Sequence, residues 1–161
     1  MTHENKYFMV ILFLFGIGSI VFQSLVVPLL EIHVWRPDVV LIITLLTARR
    51  FGALKGSSAG FLLGIIQDSL TGMPVGITAL PKTLGGYFAG KLRSFRPDPT
   101  YTYLWFAGII FLHEIITYAF YQFKTDLSFT QLVYTRAFPN TVYSFIMLVI
   151  IHFFTQKYFN E

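Results

Sequence analysis

Cysteine is absent from the 161 residues, which rules out disulfides, thiolate metal sites and a cysteine nucleophile. Charge is scarce as well. Only 12% of the chain is Asp, Glu, Lys or Arg, about half the share in an ordinary soluble domain. A water-soluble core of this size would need more polar cover. Room for a second, soluble domain is also lacking. Six transmembrane helices of about 20 residues each would use roughly 120 residues and leave about 40 for loops and ends.

What the chain has instead is apolar sequence, 55% of its residues being hydrophobic. An unbroken apolar stretch runs over residues 7 to 30. It is too long for a signal-peptide core and lacks a small-residue cleavage site after it, so retention as a membrane anchor is expected. A second clear stretch covers 137 to 156, and between the two the apolar runs are shorter and punctuated by charge. The expected fold is an all-α integral membrane protein, a compact bundle of about six transmembrane helices forming a single polytopic domain over 1–161. The spans are placed near 7–29, 37–50, 54–70, 75–93, 101–123 and 135–157. The second and third are short for a full crossing.

Basic residues give the orientation, because cytoplasmic loops carry an excess of Lys and Arg. With the N-terminus inside, Lys6, Arg49, Arg50, Lys55, Lys91, Arg93, Arg96 and Lys157 fall on the inner side, and Arg36, Lys124 and Arg136 on the outer. Both termini are therefore expected in the cytoplasm. Aromatic residues near the span ends (Tyr7, Trp35, Tyr101, Trp105, Tyr134, Tyr158) suit an interfacial belt. The net charge of +4 follows from the basic inner hairpins. It implies contact with anionic membrane lipids and no nucleic-acid partner.

The middle of the chain carries the densest pattern. Gly52, Gly56, Gly60 and Gly64 recur every fourth residue, and Lys82, Gly86 and Gly90 repeat the spacing on the next span. On helices these rows are side-chain-free stripes for close helix packing, within the chain or with a partner. The first row leads to Asp68. Between the rows, Pro74 and Gly76 mark a turn at the outer face. Ionisable groups at membrane depth tend to be paired and internal, which leaves two readings open. Either Asp68 pairs with Lys82, or Asp68 caps the turn while Lys82 snorkels outward.

His113 and Glu114 sit mid-span on the fifth helix, and His152 lies on the sixth. The zinc-protease spacing needs a second His four residues after His113, and that position is Thr117; no metal or cofactor is expected. The pair is read as interhelical hydrogen-bonding groups or as the lining of a polar cleft. Pro139 breaks or kinks the last helix, with Asn140 expected to satisfy the freed backbone groups. Gly56-Ser57-Ser58-Ala59-Gly60 matches the G-x-S-x-G nucleophile elbow. That motif needs a strand-to-helix turn, so here it is a by-product of the glycine row.

The ordered set Arg36-Pro37-Asp38-Val39-Val40-Leu41, Gly60-Phe61-Leu62-Leu63-Gly64-Ile65-Ile66-Gln67-Asp68, Pro74-Val75-Gly76, Ala79-Leu80 and Gly86-Tyr87-Phe88-Ala89-Gly90 resembles the bacterial rod shape-determining MreD family. The resemblance implies a non-enzymatic subunit of the cell-elongation machinery in the bacterial inner membrane. Its implied partners are an MreC-like shape protein, the glycosyltransferase RodA with its class B penicillin-binding transpeptidase, and indirectly MreB filaments. The family's prolyl-Asp entry into the second span maps to Pro37 and Asp38, its buried acidic position to Asp68 and its turn to Pro74 and Gly76. The competing expectation is a substrate-binding subunit of an energy-coupling-factor vitamin transporter, with His113, Glu114 and Trp105 around a ligand pocket.

Overall fold

A computed structural model describes residues 3–95 and 98–159. Arg96, counted above with the inner basic residues, lies outside them, as do the side chains of Lys157 and Tyr158. Apart from an isolated bridge between Ile32 and Trp35, the regular structure among the described residues is helical. The elements are α1 (His3–Ile11), α2 (Ile17–Leu25), α3 (Val39–Phe51), α4 (Ala53–Thr71), α5 (Ala79–Phe95), α6 (Pro99–Tyr121), α7 (Phe129–Leu132) and α8 (Phe138–Phe159). Single π-helical turns, Leu12–Gly16 and Val133–Ala137, join α1 to α2 and α7 to α8.

Six helical segments therefore occur near the expected places, but they are not equivalent. Three are long and apolar enough to cross a membrane: Lys6–Leu29, Thr100–Lys124 and Phe129–Phe154. α3, α4 and α5 do not meet that standard, which corrects the expectation of about six transmembrane helices; α3 and α4 are the two spans already short in the sequence, and α5 joins them. Thirteen residues of α3 reach only about 20 Å at 1.5 Å per residue, against a hydrocarbon core of about 30 Å. α4 carries Lys55, Ser57, Ser58, Gln67 and Asp68, and α5 carries Lys82, Lys91 and Arg93. The last span starts earlier than 135, because Ser128 and Gln131 form a reciprocal capping box that opens α7.

The packing explains why short helices suffice. α3 is buried on every side from Val39 to Ala48, as a helix apolar all round must be. Leu41, Ile42, Leu45 and Leu46 of α3 meet Ile11, Phe106, Ile110 and Leu148 in the main core. α4 and α5 pack on α3 and, most extensively, on each other. At the corner between α3 and α4, Gly52 has φ +92°, a conformation that side chains rarely adopt. Gly52 is thus the corner that opens α4, and its backbone still lies against Gly90 of α5 in the packing row.

The remaining glycines close the α4–α5 contact. A Cβ built on Gly56 would lie 2.7 Å from the Gly86 carbonyl oxygen, and one on Gly64 would come 2.9 Å from the Ala79 Cβ. Gly60 meets the Lys82 backbone, Gly86 the Gly56 backbone and Gly90 the backbone of Ala53. Both rows are consumed inside the chain, so neither is left to receive a partner helix.

Candidate functional site

At one end of the bundle the connections between helices enclose a polar cleft of about 360 Å³. Its wall draws on α2 (Gln23), the segment before α3 (Arg36, Asp38), the end of α4 (Gln67), α6 (His113, Glu114, Thr117, Tyr118, Tyr121) and the α7–α8 helix (Arg136, Asn140). The chain brings these together because each polar residue sits near a helix end or on the inward face of a long apolar helix.

Asp38 is the hub. Its Oδ1 accepts from the Leu41 N–H at 2.8 Å and caps α3. Its Oδ2 pairs with Lys82 Nζ at 2.5 Å. Its own N–H donates to Ser144 Oγ at 3.0 Å. Lys82, 0% exposed, also stands 3.4 Å from His113 Nε2. Both open readings of Lys82 are thus corrected: it neither snorkels outward nor pairs with Asp68. α3 begins just after Asp38, and this puts the Asp38 carboxylate against the first turns of α5, where no local sequence signal points.

Asp68 is fully buried and does cap the turn. Its carboxylate accepts from the N–H groups of Gly76 at 2.8 Å, Thr78 at 3.2 Å and Ala79 at 3.4 Å. These donors open α5, so Asp68 serves that helix as a cap supplied from another, at the positive end of its dipole. Gly76 reaches φ +109°, which lets its N–H turn toward the carboxylate. Pro74 is exposed at the tip of the same turn.

Glu114 and Asn140 form the other half of the site. Asn140 Nδ2 donates to Glu114 Oε2 at 3.3 Å and to the Tyr118 hydroxyl at 2.9 Å, and Oδ1 accepts from the Arg36 N–H at 3.1 Å. His113 Nδ1 stands 3.3 Å from Glu114 Oε1 without hydrogen-bond geometry. Pro139 lies inside the continuous α8 helix, and Asn140 is turned to Glu114 and Tyr118, so it does not serve the backbone group that Pro139 leaves open. Pro139 lacks the N–H that would meet the Thr135 carbonyl, and the Trp35 indole donates to that carbonyl at 2.9 Å instead.

Other polar residues lie elsewhere. His152 is held by the Tyr103 hydroxyl at 2.8 Å, ten residues before His113 on α6, or about 15 Å along the helix. Trp105, expected beside His113 and Glu114, belongs to a separate apolar groove of about 440 Å³ between α5 and α6, lined by Phe88, Tyr101, Leu104, Trp105, Gly108, Ile109 and Leu112. Ser57 and Ser58 both donate to the Leu54 carbonyl of their own helix, at 3.0 and 2.9 Å. Among the described residues, no group of three His, Asp or Glu is placed to hold a metal.

Sequence reasoning overlooked Gln23, Thr117, Tyr118 and Ser144. Two signals were there to find. Glu114, Thr117, Tyr118 and Tyr121 are spaced i, i+3, i+4, i+7, a polar stripe on one face of an apolar helix, and Asn140 and Ser144 are an i, i+4 pair.

The family model of rod shape-determining protein MreD matches residues 3–161. Neither a curated protein nor a solved structure matches the chain.

Proposed function

The chain belongs to the MreD family of rod shape-determining proteins, and from that membership we propose that it is a non-enzymatic scaffold of the bacterial cell-elongation complex. In this reading it is a multi-pass protein of the inner membrane with both termini cytoplasmic. It keeps lateral peptidoglycan synthesis organised by holding an MreC-like shape protein beside RodA and its class B penicillin-binding transpeptidase, with MreB filaments linked indirectly. α3, sheathed by other helices, crosses as a short central segment, and the polar cleft opens toward the outer face.

The observation that carries the scaffold reading is the α5–α6 groove. Gly108 lines it, and a Cβ there would meet nothing within 4 Å. An exposed small residue flanked by Leu104, Trp105 and Leu112 suits the close approach of one transmembrane helix. The occupant we assign is the single membrane helix of the MreC-like partner. Gly108→Leu puts a side chain into the groove from a position whose Cβ meets nothing within 4 Å. It is expected to reduce co-purification of that partner at least about tenfold and to round rod-shaped cells. Undiminished co-purification with normal shape would exclude the groove as the docking face.

The cleft volume falls within the range of small-molecule sites, about 300–1,000 Å³, which favours a vitamin carrier as the second reading. A vitamin co-purifying with the chain, and an uptake defect on deletion with unchanged cell shape, would select it over the scaffold.

A further inference from the structure

The cleft holds more positive charge than its own carboxylates answer. Lys82 is matched by Asp38, and Glu114, hydrogen-bonded by the neutral amide of Asn140, is left as the one carboxylate for two further cations, Arg36 and Arg136. Both line the cleft, and among the described residues neither guanidinium has an ion pair or a hydrogen bond. Arg36 is exposed and Arg136 half-buried, and two like charges lining one cleft make it attractive to an anion.

A second observation points the same way. Gln67 Oε1 and Thr117 Oγ1 are shut off from solvent and make no hydrogen bond within the chain, and both residues line this cleft. Buried polar atoms of this kind are nearly always satisfied. The cleft wall therefore carries both guanidinium forks and unengaged hydrogen-bonding groups.

We propose that the cleft binds a phosphoryl anion carrying a hydroxyl or amino group, clasped by Arg36 and Arg136 and hydrogen-bonded by Gln67 and Thr117. Planar guanidinium forks match the several oxygens of a phosphate in bidentate fashion. The hydroxyl or amino group donates to the Gln67 and Thr117 oxygens. A phospholipid headgroup and a free phosphate ester share this chemistry. The proposal does not depend on the α5–α6 groove or on the partner assigned to it.

The test uses the full chain, delipidated in neutral detergent, with thermal unfolding followed on adding dihexanoyl phosphatidylglycerol, glycerol 3-phosphate, inorganic phosphate or dioctanoylglycerol. The wild type is expected to gain in Tm with a phosphorylated probe and not with dioctanoylglycerol. Gain with phosphatidylglycerol alone identifies a lipid headgroup, and equal gain with glycerol 3-phosphate identifies a free ester. The Arg36→Gln, Arg136→Gln double variant should bind at least about tenfold more weakly. Lys124→Gln, which removes an exposed lysine outside the cleft wall, should bind normally. Arg136→Gln alone repeats the test if the double variant loses its fold. Equal shifts in wild type and the arginine variants, or a shift with dioctanoylglycerol as large as with phospholipid, would overturn the proposal.

Discussion

Asp38 and Lys82, 44 positions apart in the chain, are joined at 2.5 Å, with the lysine wholly buried. The pair ties the start of α3 to the start of α5, and His113 and Ser144 extend it to α6 and α8. Removing one member of a buried pair leaves the other uncompensated, at a cost of about 3 kcal/mol or more. Lys82→Met and Asp38→Asn should each lower stability in detergent by that order. The double variant should lose clearly less than the sum. Strict additivity in the double-mutant cycle would mean that the two side chains do not act as a pair.

Asp68 and Gly64 stabilise the α4–α5 hairpin by different means. Asp68→Asn keeps an oxygen that can accept from the Gly76 or Thr78 N–H, and it loses the excess strength of a charged acceptor over a neutral one, about 1 kcal/mol per bond. Gly64→Leu drives a side chain into the Ala79 backbone, which cannot give way without separating the helices. The glycine variant should therefore be the more damaging in chemical denaturation. The opposite ranking would show that the carboxylate outweighs the packing.

The glycines divide into two classes with opposite responses to alanine. At Gly86 the added methyl meets the Gly56 backbone, and overpacking of this kind costs about 1–3 kcal/mol. At Gly108 it meets nothing, so the higher helix propensity of alanine, worth up to about 1 kcal/mol, should leave stability unchanged or raised. Melting temperatures of Gly86→Ala and Gly108→Ala, measured side by side, check this. Similar losses at both sites would contradict it.

Trp35 and Pro139 are coupled through the Thr135 carbonyl. Trp35→Phe removes the indole donor and should cost about 1 kcal/mol. Pro139→Ala supplies a backbone N–H that can take over the same carbonyl. In the Pro139→Ala background Trp35→Phe should then have a smaller effect on Tm than in the wild type. An undiminished effect would locate Trp35's contribution in its packing alone.

Much of this architecture was legible in the sequence because it rests on local chemistry. The long apolar runs marked the first and last spans, since lipid demands length and hydrophobicity of any segment it surrounds; α6, its apolar run interrupted by His113 and Glu114, stood out less. The turn at Pro74 and Gly76, and Asp68 as its cap, lie within a dozen residues of one another, and propensity reports such short-range features well. The four-residue glycine spacing announced close helix packing. It did not say against what, because a side-chain-free stripe fits any near neighbour.

Sequence alone thus determined a helical membrane protein, its principal apolar helices and its list of unusual polar residues. The tertiary structure decided how those residues are partnered. Lys82 found Asp38 and not Asp68, because backbone N–H groups of the turn had already satisfied Asp68, and the α3 N-terminus lies over α5. Gly52 became a corner, both glycine rows closed on each other, and Trp35 met a carbonyl 100 residues away. Pairing of this kind depends on which helix ends share one end of the bundle, and that is settled by the packing of whole helices around α3.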